Sequence, residues 1–341
     1  MTTTTTASQL DRVPIAELAT RPDPAAWHEA LRALGTCARG DQWIVSTPSD
    51  VAAALSAPAL GVVPPPAEAG PAADLIARMA RFSDGDAHRR RRAAAVRLLP
   101  PAAHVAALAR EHAARQLREA EPAGELDVMP LARTLPAEVL ARALGLSAPG
   151  AASAAVLTGR LCDALLSGVP GRAAAAGEAA AGLRATLQPL GLTDADEVAA
   201  ASILFQARDS TAALIGAAVL GSARPGCGRA ADRVEYVLRR EAPVQCTRRV
   251  ATADTTIGTA VVPRGSSVWI FVAAAELGSG QPATFGSGPH GCPAAVVATA
   301  ITREVVTAVD AGGWRLVCGQ RVDYEPRPNL RLPCRVLVSR G

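Results

Sequence analysis

The sequence has no lysine: all 35 of its basic residues are arginine. This reads as a GC-rich bacterial coding bias more than as a functional signal. Aromatic residues are also scarce, at 3% against 49% hydrophobic overall, so a core must be built from Ala, Val and Leu. The formal charge of +4 is small for 341 residues, and no long basic run is interleaved with aromatics, so nucleic-acid binding has little support. Seven cysteines are scattered, odd in number and without C-x-x-C spacing, which suggests neither a disulfide framework nor a zinc site. The opening MTTTTTASQLDRVP has no basic segment followed by an apolar one, so it is not a signal peptide. Ala-rich runs such as 173–182 are interrupted by Gly, Glu and Arg before they reach the length of a bilayer. The expectation is a soluble cytoplasmic protein with no membrane segment.

What is present is mostly helical pattern. Residues 1–24 read as a flexible lead and 25–341 as one domain, with no linker and no internal repeat. Helices are expected over 25–34, from an Asp50 cap, over 87–119 with a break at Pro100-Pro101, and repeatedly over 124–220 with breaks at 149–150, 169–171 and 189–191. Residues 58–72, rich in Pro and Gly, read as loop. A short strand is expected at Trp43–Ser46. After about residue 245, alternating Val, Thr and Ile give short strands, then a helix over 293–309 and two strand-like segments, WRLVC and RLPCRVLV. The fold class is mainly α with a small β portion.

One stretch carries chemistry: Phe285 to Ala294, FGSGPHGCPA. Its glycines spell G-x-G-x-x-G, but LGSGQPAT before them is not a strand, and Pro289 removes an N–H where a phosphate loop must donate one. The alternative centres on Cys292. With Pro293 at the first helical position, Cys292 stands at a helix N-terminus, where the macrodipole favours a thiolate. Gly286, Gly288 and Gly291 would let backbone amides approach the sulfur, tuning a metal bound there. A buried structural cysteine in a glycine turn is the competing reading.

FGSGPHGC is similar, residue for residue, to the F-G-x-G-x-H-x-C haem-ligand loop of the cytochrome P450 family, and further stretches resemble that family in the right order from about residue 25 onward. The resemblance implies a P450-like fold in shortened form, haem b with its iron bound by Cys292, and a loop in which Phe285 and His290 also contact the cofactor. DGDAHRRRRAAAVRLL resembles the helix whose H-x-x-x-R pair holds the haem propionates, which places that role on His88 and Arg92. EYVLRREAPVQCTRRVA resembles the segment with a structural E-x-x-R pair and a propionate-binding arginine, here Arg239 and Arg249. ILFQARDSTAALIG resembles the distal helix, with Asp209 and Ser210 at the acid and alcohol positions that serve oxygen and proton handling.

The implied activity is oxygen insertion into a small organic substrate, in bacterial secondary metabolism, with ferredoxin and ferredoxin reductase supplying electrons. Substrate contacts would come from 57–82, 160–195, 202–214 and 244–247, and arginines near Arg89–Arg92 and Arg303 are candidates for docking the ferredoxin. The family pattern is broken in places. Only LGSGQPAT stands where the family has a long meander, and 217–234 is short for a helix. Tyr236 replaces the Glu paired with Arg239, leaving Glu235 one residue earlier on the same helix face. Gln206-Ala207 replaces Ala-Gly, Ser210 replaces Thr, and Pro293-Ala294 replaces Leu-Gly. Two alternatives stay open: a haem enzyme with atypical chemistry (peroxide-dependent, cyclisation, desaturation or rearrangement), and a haem-free helper protein.

Overall fold

The computed structural model describes residues 13–21, 24–166, 171–223, 228–279 and 283–340. Cys227, residues 1–12 and 22–23 of the expected lead, 167–170 of the 160–195 substrate stretch and 280–282 of LGSGQPAT lie outside the described residues. The elements in chain order are α1 (Pro24–Leu34), β1 (Cys37–Arg39), β2 (Gln42–Val45), α2 (Pro48–Ser56), β3 (Leu60–Val62), α3 (Pro71–Ala77), α4 (Gly85–Leu98) and α5 (Ala102–Ala120). Next come β4 (Glu125–Asp127), α6 (Val128–Ala143), α7 (Ala148–Leu166), α8 (Ala173–Leu187), α9 (Asp194–Leu220) and α10 (Ala230–Arg240). The remainder is β5 (Thr247–Ala251), β6 (Thr255–Ile257), β7 (Ala260–Val262), β8 (Ser267–Ile270), α11 (Val272–Ser279), α12 (Ala295–Ala311), β9 (Trp314–Leu316) and β10 (Leu337–Arg340). The fold is mainly helical with small sheets, as the sequence pattern implies.

Two compact units are assembled from interleaved segments. The first comprises the described residues up to Val63, Glu235–Cys292 and Tyr324–Arg331; the second comprises Pro64–Val234, Pro293–Asp323 and the described residues from Leu332 on. The first unit is built on a five-stranded sheet in the order β1-β2-β8-β5-β3, in which β2 and β8 run parallel and the other pairs antiparallel. Successive strand residues point to opposite faces, so each face gathers its own apolar set. Val45, Val268 and Ile270 pack with Val51, Leu55 and Ile257 on one side. Ile44, Trp269 and Phe271 pack with Val13, Ile15, Leu18 and Leu31 on the other. Within the expected lead, Ile15–Thr20 is thus a 3-10 helix that supplies core residues.

The second unit centres on α9, which packs against α4, α6, α7, α8 and α12, while α12 also lies along α5. Thr193 caps α9, its hydroxyl accepting the Asp196 N–H, and Asp194, Asp196 and Glu197 complement the dipole in the first turn. By length and composition α9 would pass for a membrane span, but 72% of that apolar window is buried within the protein, so its apolarity serves packing. A small sheet, β4-β10-β9, completes this unit.

Four local expectations are corrected. Asp50 is not the cap of α2: Thr47 is, accepting the Asp50 N–H at 3.3 Å, and Asp50 instead accepts the Thr36 hydroxyl at 2.7 Å. The loop assigned to 58–72 contains β3, because Leu60–Val62 pairs with Arg249–Ala251 and extends the sheet. Pro149-Gly150 does not break the helices; it lies in the first turn of α7, where Pro lacks no needed N–H. The helix after the cysteine runs over 295–311 with Ala294 as its cap residue, so Pro293 precedes it rather than occupying its first position. Its first described backbone bond of the i→i−4 kind joins Ala298 N–H to Ala294 O, at 2.9 Å.

Candidate functional site

In the first unit, Phe285–Cys292 forms a closed loop. The Cys292 N–H donates to Phe285 O at 2.8 Å, the Gly286 N–H to Ala283 O at 2.8 Å and the Gly291 N–H to Gly288 O at 3.1 Å. Those three amides therefore serve loop closure. Gly286 and Gly288 both have φ of +66°, a conformation that side chains rarely adopt. At Gly288 space is equally restrictive: an added Cβ would lie 2.9 Å from Leu55 O and 3.0 Å from Ser56 Oγ, at the end of α2. The loop is pressed onto that helix, with Gly288–His290 forming a single 3-10 turn. Cys292 is exposed, in contrast to Cys246, which is buried, lies 3.5 Å from Pro328 O and has its thiol pushed by burial up to about 12. The reading of Cys292 as a buried structural cysteine is excluded by this contrast. Phe285 and His290 are half-buried in the same loop.

Arg249 lies on β5 in the same unit, buried at 8% exposure, between Val268 of β8 and Val62 of β3. Its guanidinium donates to Thr247 Oγ1 at 2.8 Å and to Arg248 O at 3.1 Å. Arg239 pairs with Glu235 at 2.9 Å, one helical turn away as the sequence implies, with both side chains about half exposed.

The second unit brings the remaining predicted residues onto two packed helices, α4 and α9. His88 and Arg92 share one face of α4. His88 is buried, with Nδ1 2.9 Å from Ala80 O, and Arg92 is half-buried. Their neighbours point elsewhere: Arg89 pairs with Asp86, and Arg91 donates to Ala77 O. On α9, Ser210 Oγ donates to Gln206 O at 2.9 Å, one turn back, and the helix is continuous through Gln206–Ala207. Asp209 is buried and accepts from Arg208 at 2.8 Å. Arg208 also reaches Asp163 of α7 with two nitrogens, at 2.8 and 3.3 Å, and lies against Gly159, where a Cβ would sit 3.4 Å from its Nε. Burial opposes the charge on Arg208, but the carboxylates of Asp209 and Asp163 outweigh it and hold the guanidinium above its usual range.

Sequence reasoning missed two groups. Arg208 was hidden beside the acid and alcohol positions, although it is the single basic residue of α9. The other is Glu276 on α11, 1% exposed, whose Oε1 accepts the Ala283 N–H at 3.0 Å, with a further bond from the Thr284 N–H. Burial raises this carboxyl to about 8. A lone acid inside the apolar run VWIFVAAAEL was the available signal, since a carboxylate is kept in such a setting only with partners.

The donor set suits one kind of group. Among the described residues no cluster of three or more His, Cys, Asp or Glu is placed to hold a metal ion. The exposed thiol of Cys292 is a soft ligand of the kind that suits a metal arriving in an anionic macrocycle and taking one ligand from the protein.

An exposed cysteine on a glycine-shaped loop and a long central helix, carried on this arrangement of helices and small sheets, define a chain with the cytochrome P450 fold. Among solved structures, the chain is similar to P450BioI in complex with hexadec-9Z-enoic acid ligated acyl carrier protein, with a TM-score of 0.80 and 18% identity over 96% of this chain and 100% of that one. It is similarly close to cytochrome P450 CYP109Q5 from Chondromyces apiculatus, with a TM-score of 0.80 and 18% identity over 96% and 97% of the two chains. For CYP164A2 of Mycobacterium smegmatis the TM-score is 0.71 and the identity 22%, over 95% and 98%. No protein-family model and no curated protein matches the sequence, so the likeness is one of shape.

Proposed function

We propose that this protein is a haem-thiolate oxidoreductase that inserts oxygen into a small organic substrate, in bacterial secondary metabolism and in the cytoplasm, with residues 25–341 acting as one haem-binding domain. The observation that carries this is Cys292: an accessible thiol heading a closed glycine loop on a P450 fold. Cys292 would hold the iron, Phe285 would help to bind the cofactor, and His88, Arg92, Arg249 and His290 would offset the propionate charges, which are otherwise costly to bury. When bound, haem supplies the activation of dioxygen, which a thiolate ligand favours.

The chain's own groups then have separable tasks. Ser210 donates its hydroxyl proton to Gln206 O, which leaves Oγ oriented as an acceptor. Asp209 Oδ1 accepts from Arg208, which fixes the orientation of the carboxyl on α9. Electrons would come from ferredoxin and ferredoxin reductase, and substrate contacts from 57–82, 160–195, 202–214 and 244–247. An open cavity of about 470 Å³, lined by Leu157, Arg160, Asp163, Arg172 and Glu178, lies at the start of the 160–195 stretch.

A second reading keeps haem and changes the reaction. The continuity of α9 through Gln206–Ala207, where the family's Ala-Gly lets the helix open, favours peroxide-driven or rearrangement chemistry. Both are tested on purified protein supplied with haem. The expected result is a Soret band and a thiolate-type carbon monoxide shift on reduction, both lost in Cys292→Ala. Absence of both in the unsubstituted protein would refute either reading and favour a haem-free helper. Turnover with peroxide but not with ferredoxin, its reductase and dioxygen would select the second.

A further inference from the structure

The loop that bears Cys292 is held from two sides within the first unit. On one side Gly288 rests on the end of α2, against Leu55 O and Ser56. On the other, the segment entering the loop is fastened to α11 by a single side chain. Glu276 Oε1 accepts the Ala283 amide and the carboxyl also accepts the Thr284 amide, while Ala283 O in turn accepts the Gly286 N–H that opens the loop. These bonds form one line from α11 to the loop: carboxyl, amide pair, carbonyl, Gly286, and then the Phe285 carbonyl that receives the Cys292 N–H.

We infer that Glu276 is a positioning residue for Cys292, a buried carboxyl strut that fixes the entry of the cysteine loop and thereby the aim of its sulfur. Three observations favour a specific role over general packing. The side chain is 1% exposed and follows Val272 and three alanines on its helix, a costly place for an acid unless its bonds are needed. Its second oxygen, Oε2, is buried with no hydrogen-bond partner among the described residues, so the carboxyl is not kept for a saturated network of its own. Arg239, whose charge acts on this carboxyl, is bonded to Glu235, and both of those side chains are about half exposed. The strut also stands where the chain is short: only LGSGQPAT separates α11's Glu276 from the loop, so one side chain spans what a longer segment would otherwise cover.

This rests on the proposed reading of Cys292 as the ligand, and the experiment separates the two. In the unsubstituted protein supplied with haem, a thiolate-type carbon monoxide spectrum supports the ligand reading by itself. Glu276→Ala is then expected to convert most of that signal to the thiol type and to speed haem loss by about tenfold or more, the range for a group that orients a metal ligand. Glu276→Gln keeps an oxygen acceptor for the two amides and should restore the thiolate signal. If the alanine variant fails to fold, Glu276→Asp, one methylene shorter, must show the same conversion. An unchanged spectrum in the alanine or aspartate variant overturns the inference while leaving the ligand reading intact. Should the unsubstituted protein take up no haem, the alkylation rate of Cys292 decides. A severalfold change in Glu276→Ala that Glu276→Gln reverses supports the strut, and an unchanged rate overturns it.

Discussion

Replacing Glu276 by glutamine should change how stability depends on pH, by an amount the structure sets. Burial raises the carboxyl from its ordinary 4.5 to about 8, so between those values the folded state holds a proton that the unfolded chain has released. Stability from this source is fully present below pH 4.5 and is lost as pH rises through 8. The slope is about 1.4 kcal/mol per pH unit inside that window, so the wild type loses roughly 3 to 4 kcal/mol between pH 5 and 8 relative to Glu276→Gln, which does not titrate. His28 acts in the opposite sense. Burial, with help from the Arg331 charge, lowers it to about 3, so its contribution is lost as pH falls from 6.5 toward 3. Both proteins carry His28, and its effect cancels in the difference. Urea unfolding followed by tryptophan fluorescence is a suitable assay, because Trp27, Trp43 and Trp269, three of the four tryptophans, lie in the same unit as Glu276. Parallel stability curves for the two proteins between pH 5 and 8 would show that the carboxyl is solvated, and the reasoning from burial would be wrong.

Gly288→Ala meets both a left-handed backbone, costing about 1 to 2 kcal/mol, and a carbonyl that an added methyl group would approach to 2.9 Å. Haem occupancy per chain should fall along with the melting temperature, and full occupancy in this variant would contradict the loop geometry. Arg208→Ala breaks the buried ion pair with Asp209 and should destabilise the protein by about 3 kcal/mol or more, of which adding Asp209→Asn recovers a part. A double variant no more stable than the single one would rule out that account. By contrast, Glu235→Gln removes a pair that is half exposed on both sides and should change urea stability by less than about 1 kcal/mol. Alkylation of the native apoprotein followed by peptide mapping should modify the exposed Cys292, Cys318 and Cys334 well before the buried Cys162 and Cys246. Prior incubation with haem should protect Cys292 selectively, whereas protection of none would count against its role.

The helices and the cysteine loop were legible in the sequence for a local reason. Gly286 and Gly288 are demanded by backbone conformation, and the amphipathic or Ala-rich helices by short-range periodicity, so a linear reading reaches them. What was missed depends on partners far along the chain. Leu60–Val62 looked like loop because its Pro-rich surroundings outweigh three residues, yet pairing with β5 makes it a strand. Asp50 looked like a cap because the preceding Thr47 performs that task and Asp50 is used by Thr36 instead. Arg208 and Glu276 carry no motif. Asp163, 45 residues away, explains the first, and the Ala283 and Thr284 amides explain the second.

The parallel pairing of β2 with β8 has a consequence for how the chain is made. Residues 42–45 emerge from the ribosome long before 267–270, the strand they pair with. Every helix from α3 to α9 is synthesised in the interval, and those can nucleate on local contacts. The β1–β2 hairpin must therefore wait with one edge unpaired while the second unit's helices gather, and the first unit closes only once β8 has been made. The cysteine loop, carried on that unit, belongs to the late-forming part of the molecule. A nascent chain halted before β8 should accordingly present an open strand edge at β2.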